Sequence, residues 1–338
     1  MTENPLDLPP ECWELIFNSL NDQSHFESLS LVSHRFLSIT NYLRNSLKLT
    51  DPSTPFLPHL FNRFQNLKKI DLSEFQGDPN SILYLISRSG LDLESLNISN
   101  LKSFPFMGLK ELGTKMKNLK ELNCSKNFSF RDSDLIAVAE TCEFLEVLDI
   151  SYPENDSSFL PQGFQNIQSF SFYITDSGIE ALSMKLKRLK RINLSEEGIG
   201  EILKSCCEIK CLEIKRCRAV FDLGIDLELP KLEVLQASGS ALNDHALKMI
   251  ANTCSRILHL DLDNCLNVTT SGVKEVVEHC RTLREINLRW CDEVNVDIVA
   301  WMVFSRPSLR KIIPPCGFAP TESQKNFFLR HGCLVCKG

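Results

Sequence analysis

Ile257 to Cys280 reads ILHLDLDNCLNVTTSGVKEVVEHC, and this stretch carries two hydrophobic periods in succession. Leu260 and Leu262 are two apart, the spacing at which side chains of an extended strand return to the same face. Val273, Val276 and Val277 then fall at i, i+3 and i+4, which gives a helix one apolar stripe. A strand, a turn and a helix make a unit too small to close a core alone. Such a unit must bury its apolar face against copies of itself.

The copies lie on either side. The aliphatic triplet that begins at Ile257, with members three and five residues later, recurs as Leu67/Ile70/Leu72, Leu93/Leu96/Ile98, Leu119/Leu122/Cys124 and Leu145/Leu148/Ile150. It continues as Leu189/Ile192/Leu194, Ile209/Leu212/Ile214, Leu232/Leu235/Ala237 and Leu283/Ile286/Leu288. The first residues are 25 or 26 apart, except in the middle, where a degenerate copy, Ile167/Phe170/Phe172, gives steps of 20 to 23. Parallel strands sit about 4.8 Å apart while packed helices need roughly 8 to 10 Å. Stacking these units therefore forces the helices to the outside of a curve. The expected fold class is α/β, a horseshoe solenoid with parallel strands on the concave face and helices outside. Leu47 and Leu49 add an initial strand, and Pro314-Pro315 is expected to stop the sheet.

The chain has 14 cysteines. Cys142, Cys206, Cys254 and Cys280 each stand three residues before a triplet, and Cys217, Cys265 and Cys291 each stand eight after a triplet begins. Two repeated slots point to small buried thiols packed where helix meets strand. With this spacing and these cysteines, residues 67 to about 313 resemble the cysteine-containing class of leucine-rich repeats, as found in plant proteins.

A separate helical pattern precedes the array. Pro9-Pro10-Glu11 can open a helix, and Trp13, Ile16, Phe17 and Leu20 recur at i, i+3, i+4 and i+7 as an expected buried face. A second helical stretch, Phe26 to Phe36, leads towards Ile39 and Leu43, with Leu29, Val32 and Phe36 on one side. About forty residues give a marginal core, which favours a docking module. Leu8 to Leu37, LPPECWELIFNSLNDQSHFESLSLVSHRFL, resembles an F-box through Leu8-Pro9, Glu11, Leu15-Ile16-Phe17, Leu20 and the closing Leu29 to Phe36. The resemblance implies binding to a Skp-type adaptor, and through it a cullin, by Leu8, Pro9, Ile16, Leu20, Leu31, Val32 and Phe36. Many relatives have Cys where Ser33 stands and Trp where Phe36 stands, so a weaker hold on the adaptor is expected. The implied organisation is an F-box at 1–45, leucine-rich repeats at 46–315 and a C-terminal cap at 316–338.

Side chains four and six residues after each triplet begins are expected to face away from the core. The first row runs from Asp71 and Asn97 to Asp261 and Asn287, and the second is mostly serine, including Ser73, Ser99, Ser125, Ser151, Ser195 and Ser238. This looks like a generic solvated face until Lys215, Asp263 and Arg289 interrupt it, with Arg216 and Trp290 adjacent. These five are the expected contacts for an unknown protein substrate, because an exposed Trp beside Arg is a common interface anchor. The segment Tyr152 to Asn166 reads as a loop that could also reach a partner.

Composition excludes several other classes. The net charge of −6 over 338 residues opposes binding to nucleic acid or to anionic membranes. The start lacks a basic and apolar signal segment, and the longest apolar run, Ile298 to Phe304, is too short to span a bilayer. A cytoplasmic or nuclear location is expected. Cys333-Leu334-Val335-Cys336 with His331 and Cys316 has a zinc-like spacing but no convincing set of four ligands. No phosphate-binding loop or nucleophile motif stands out, so neither catalysis nor a cofactor is expected. The resemblance implies a substrate receptor of a Skp-cullin-F-box ubiquitin ligase. A scaffold without ligase function, or a small-molecule co-receptor, is the alternative.

Overall fold

The computed structural model describes residues 8–20, 25–52, 56–127, 130–151, 185–186, 188–193, 208–215 and 229–336. They belong to two compact units, 1–123 and 124–338.

The first unit begins with three helices, α1 (Pro10–Asn18), α2 (His25–Ser30) and α3 (His34–Leu43). Pro10 suits the first turn of α1, where its missing N–H has no partner to lose, and Glu11 meets the positive end of the helix. Phe17, Phe26 and Ile39 form the buried centre, flanked by Trp13, Leu20, Leu29, Phe36 and Leu43. The single helical stretch expected from Phe26 to Phe36 is instead broken at Leu31-Val32. Ser33 is the cause: its Oγ accepts the Phe36 N–H at 3.1 Å and starts α3 afresh. Val32 consequently turns outward, away from Leu29 and Phe36.

The module runs directly into the repeats of its unit. The Asn45 carbonyl accepts the N–H groups of Lys68 and Lys69 at 2.8 and 2.9 Å. Four parallel strands follow in chain order, β1 (Ser46–Lys48), β2 (Lys69–Asp71), β3 (Ser95–Asn97) and β4 (Glu121–Asn123), with Leu47, Ile70, Leu96 and Leu122 in register. Helices α4 (Leu57–Arg63), α5 (Pro79–Arg88) and α6 (Phe106–Lys115) alternate with them.

The second unit repeats the plan with β5 (Val147–Asp149), β6 (Arg191–Asn193), β7 (Cys211–Glu213), β8 (Val234–Gln236), β9 (His259–Asp261), β10 (Glu285–Asn287), β11 (Lys311–Ile313) and β12 (Leu334–Val335). All pair in parallel, holding Leu148, Ile192, Leu212, Leu235, Leu260, Ile286 and Ile312 in one buried row. Its helices are α7 (Asp132–Thr141), α8 (Asp244–Thr253), α9 (Thr270–His279), α10 (Ile298–Ser305) and α11 (Glu322–Arg330). Val273, Val276 and Val277 of α9 are buried as their spacing predicts.

Pro314-Pro315 does not stop the sheet. Proline withholds a donor, but the carbonyls of β11 can still accept, and Leu334 and Cys336 donate to Arg310 and Ile312 at 2.7 and 2.9 Å. The cost is a last strand of only two residues.

Cys142, Cys254, Cys280, Cys265 and Cys291 are buried thiols, as their repeated slots predict, and Cys206 and Cys217 lie outside the described residues. The first three cap α7, α8 and α9 at their C-terminal ends.

Candidate interaction surfaces

On the helical module, the seven residues singled out from the sequence divide into two groups. Leu20 and Phe36 turn inward, and the Phe36 ring stands 4.7 Å from Trp13 and edge-on to Phe17 at 5.0 Å. Leu8, Pro9, Ile16, Leu31 and Val32 face solvent, Leu31 with 87% and Val32 with 66% of its area exposed. The Arg35 guanidinium donates to the Leu8 carbonyl and ties the leading segment to α3. Leu15 is also 72% exposed. It stands two residues before Phe17, about 160° round the helix, and being apolar off the buried stripe was the signal for it.

The row four residues into each repeat has a different role from the one expected. Its side-chain oxygens accept the backbone N–H two residues on: Asp71 from Ser73, Asn97 from Ser99, Asp149 from Ser151, Asp261 from Asp263, and Asn287 from Arg289, at 2.8 to 3.1 Å. These Asx turns end the strands. Ser73, Ser99 and Ser151 are therefore held within the turn, and Ser99 and Ser125 are buried, whereas Ser73, Ser151 and Ser238 stay half-exposed. Ser195 is outside the described residues.

Because each strand is only three residues long, the outward partners of this row lie two residues earlier. In the second unit that row includes Arg191, Cys211, Val234, His259, Glu285 and Lys311, which line a groove of about 440 Å³. Glu285 Oε2 lies 3.5 Å from His259 Nδ1 and 3.7 Å from the Lys311 ammonium. A count back by two from each Asx position would have found this row.

Of the five residues expected to contact a substrate, Arg216 lies outside the described residues. Lys215 is exposed and pairs with Glu213 at 3.2 Å. Asp263 and Trp290 line a common cleft, with Arg289 preceding Trp290 in the chain. Burial, reinforced by the Asp261 carboxylate, pushes the Asp263 carboxyl above its usual range, and Arg289 opposes this. The segment Tyr152 to Asn166 lies outside the described residues. Among the described residues no three His, Cys, Asp or Glu side chains converge as metal ligands, and no helix is long and apolar enough to cross a membrane.

Residues 5–48 match the F-box domain family. The chain is 24% identical over 206 residues to F-box/LRR-repeat protein 4 of Bos taurus, covering 60% of this chain and 27% of that protein. It is 32% identical over 124 residues to F-box protein SKIP19 of Arabidopsis thaliana, covering 34% and 41%. The matched stretches thus span less than half the length of these relatives. Among solved structures, the yeast Rad7–Elc1 complex contains a chain that superposes with a TM-score of 0.59 at 15% identity, over 96% of this chain and 92% of that one. The leucine-rich repeat-containing protein LegL7 of Legionella pneumophila gives 0.52 at 15% identity, over 85% and 97%. The chain carries an F-box domain at its N-terminus followed by a leucine-rich-repeat-like series of parallel strands and helices, and it is similar to F-box/LRR-repeat proteins.

Proposed function

We propose that this chain is a non-enzymatic substrate-recognition subunit of a Skp-cullin-F-box ubiquitin ligase. The observation that carries the reading is the exposed apolar set on the F-box. The module already has its own core of Phe17, Phe26 and Ile39, so Leu8, Ile16, Leu31 and Val32 contribute little to its fold while remaining at the surface. Exposed apolar side chains on a small domain mark a partner surface, and a Skp-type adaptor is the partner that an F-box implies. Rad7, which shares the architecture, occurs with a second protein, Elc1, in its crystal. The outward row of the second unit, with Arg191, Glu285 and Lys311 supplying charge beside His259 and Val234, suits a protein target. Ubiquitin transfer would then be promoted by proximity, since holding a target lysine beside the ubiquitin carrier replaces a bimolecular encounter.

The test is co-expression of the full chain with a Skp-type adaptor. Wild type is expected to co-elute with it, and Leu31→Glu/Val32→Glu is expected to elute alone with an unchanged melting temperature. Absence of co-elution in wild type, or its survival in the double variant, overturns the reading.

A further inference from the structure

Three successive turns of the second unit enclose a cleft of about 410 Å³, lined by Ser238, Gly239, Asp263, Asn264 and Trp290. Its chemistry departs from the rest of the array in two ways. The residue seven into a repeat adopts the left-handed backbone region at Asn100, Lys126, Gly239, Asn264 and Trp290, with φ between 57° and 70°. Gly and Asn accept that conformation readily, whereas a bulky aromatic does not. Trp290 therefore works against its own backbone, and with 57% of its area exposed it contributes little packing in return. Strain of this kind persists where a side chain is needed at the surface.

The second departure is Asp263. Its Oδ1 is buried, and among the described residues no group donates to it. The neighbouring carboxylate is already satisfied, since Asp261 accepts from the Asp263 N–H, from Asn287 Nδ2 at 2.9 Å and from the Ser238 hydroxyl at 2.8 Å. Asp263 Oδ1 is left as an acceptor without a donor among the described residues, at the edge of a cleft that Trp290 also lines. Rotation about its last torsion, which is soft in Asp, can present either oxygen to the opening.

Resting on the reading of these repeats as the target-binding region, we propose that the cleft takes one cationic side chain, lysine or arginine, from the target, its stem lying on the Trp290 indole and its charged head on Asp263. An indole face attracts a cation through its quadrupole, and a charged donor makes the stronger kind of hydrogen bond to a carboxylate. An apolar side chain would leave Asp263 Oδ1 without a donor in the cleft. An anionic one would meet Asp261 and Asp263 together.

The probe is a set of capped pentapeptides, glycine on both sides of a central arginine, lysine, norleucine or glutamate, titrated into the full chain. The readout is the indole NMR signal of Trp290, identified by its loss in Trp290→Asn. Saturable shifts are expected with arginine and lysine only, and calorimetry with Asp263→Asn or Trp290→Asn should show binding weaker by about tenfold or more. Trp290→Asn places at 290 the residue found at 100 and 264, so its melting temperature should stay level or rise. Preference for norleucine or glutamate, no saturable binding, or binding that survives both substitutions overturns the proposal. The adaptor test reads a different surface. A chain that takes the arginine peptide but not the adaptor keeps the cleft and loses the ligase reading, and the converse result overturns the cleft alone.

Discussion

The Cys291 thiol donates to the carbonyl of Leu262 in the preceding repeat at 3.0 Å, and Cys265 does the same to Ala237 at 3.1 Å. The slot is thus a donor slot as well as a small buried space. Ser240 and Asn127, also buried, occupy it in other repeats, and Asn127 Nδ2 donates to the Cys124 carbonyl at 2.8 Å. Cys291→Ser keeps a donor and should cost less than about 1 kcal/mol. Cys291→Ala removes both the donor and the sulfur and should cost about 1 to 3 kcal/mol. Urea unfolding of the two variants gives the order. A serine variant less stable than the alanine variant would mean that burying the hydroxyl costs more than its bond to Leu262 returns.

The same burial governs the acid–base behaviour of these thiols. Burial pushes Cys280 and Cys291 up to about 12 and Cys333 to about 11, against about 9 for an unfolded thiol. The folded chain keeps protons that the unfolded chain gives up, so the stabilisation is complete below about pH 9 and is lost as pH rises towards 12. Each thiol can contribute a slope of up to about 1.4 kcal/mol per pH unit in that window. Unfolding free energy measured on either side of pH 9 should fall more steeply for wild type than for Cys291→Ser. At neutral pH, iodoacetamide should reach the part-exposed Cys12, Cys316 and Cys336 before it reaches Cys280 or Cys291.

Asp261 fastens three consecutive repeats, since Ser238, Asp263 and Asn287 belong to successive strand ends. Asp261→Ala removes all three bonds and should lower stability by about 2 to 4 kcal/mol. Asp261→Asn keeps the Oδ1 acceptor, as Asn97 and Asn287 do in their own turns, and should cost less than about 1 kcal/mol. Differential scanning calorimetry separates these values. Equal losses would mean that charge, and not the turn geometry, sets the strength of the position.

The buried rows were legible in the sequence because a repeat of 25 or 26 residues states the same hydrophobic constraint many times. The outward rows were harder. Alternation continued past the third strand residue predicts Ser99 and Ser125 on the surface, yet both are buried, and at Ser99 the Asx turn of Asn97 has by then redirected the chain. Arg191, His259 and Glu285 were missed for the same reason, their row being one step earlier on the strand. In the helical module, helix periodicity placed Trp13, Phe17 and Leu20 inside but also Ile16, which is 42% exposed, and it could not foresee that Ser33 would interrupt a continuous apolar pattern. That capping contact decides why Val32 is outside and Phe36 inside.

Phe36 provides the last test, because the sequence treats its replacement of a family Trp as lost contact area on the adaptor. In the fold the ring is held between Trp13 and Phe17, at 4.7 and 5.0 Å, so the primary effect of changing it falls on the module's own core. Phe36→Ala should destabilise by about 2 to 4 kcal/mol. Phe36→Trp inserts a larger ring into a packed site and should cost about 1 to 3 kcal/mol, without strengthening adaptor binding. Leu31→Ala, at a position 87% exposed, should leave the melting temperature unchanged while weakening adaptor binding. Melting curves and adaptor titrations on the three variants separate core from contact. A Phe36→Trp chain that melts like wild type and binds adaptor more tightly would place this ring at the partner surface after all.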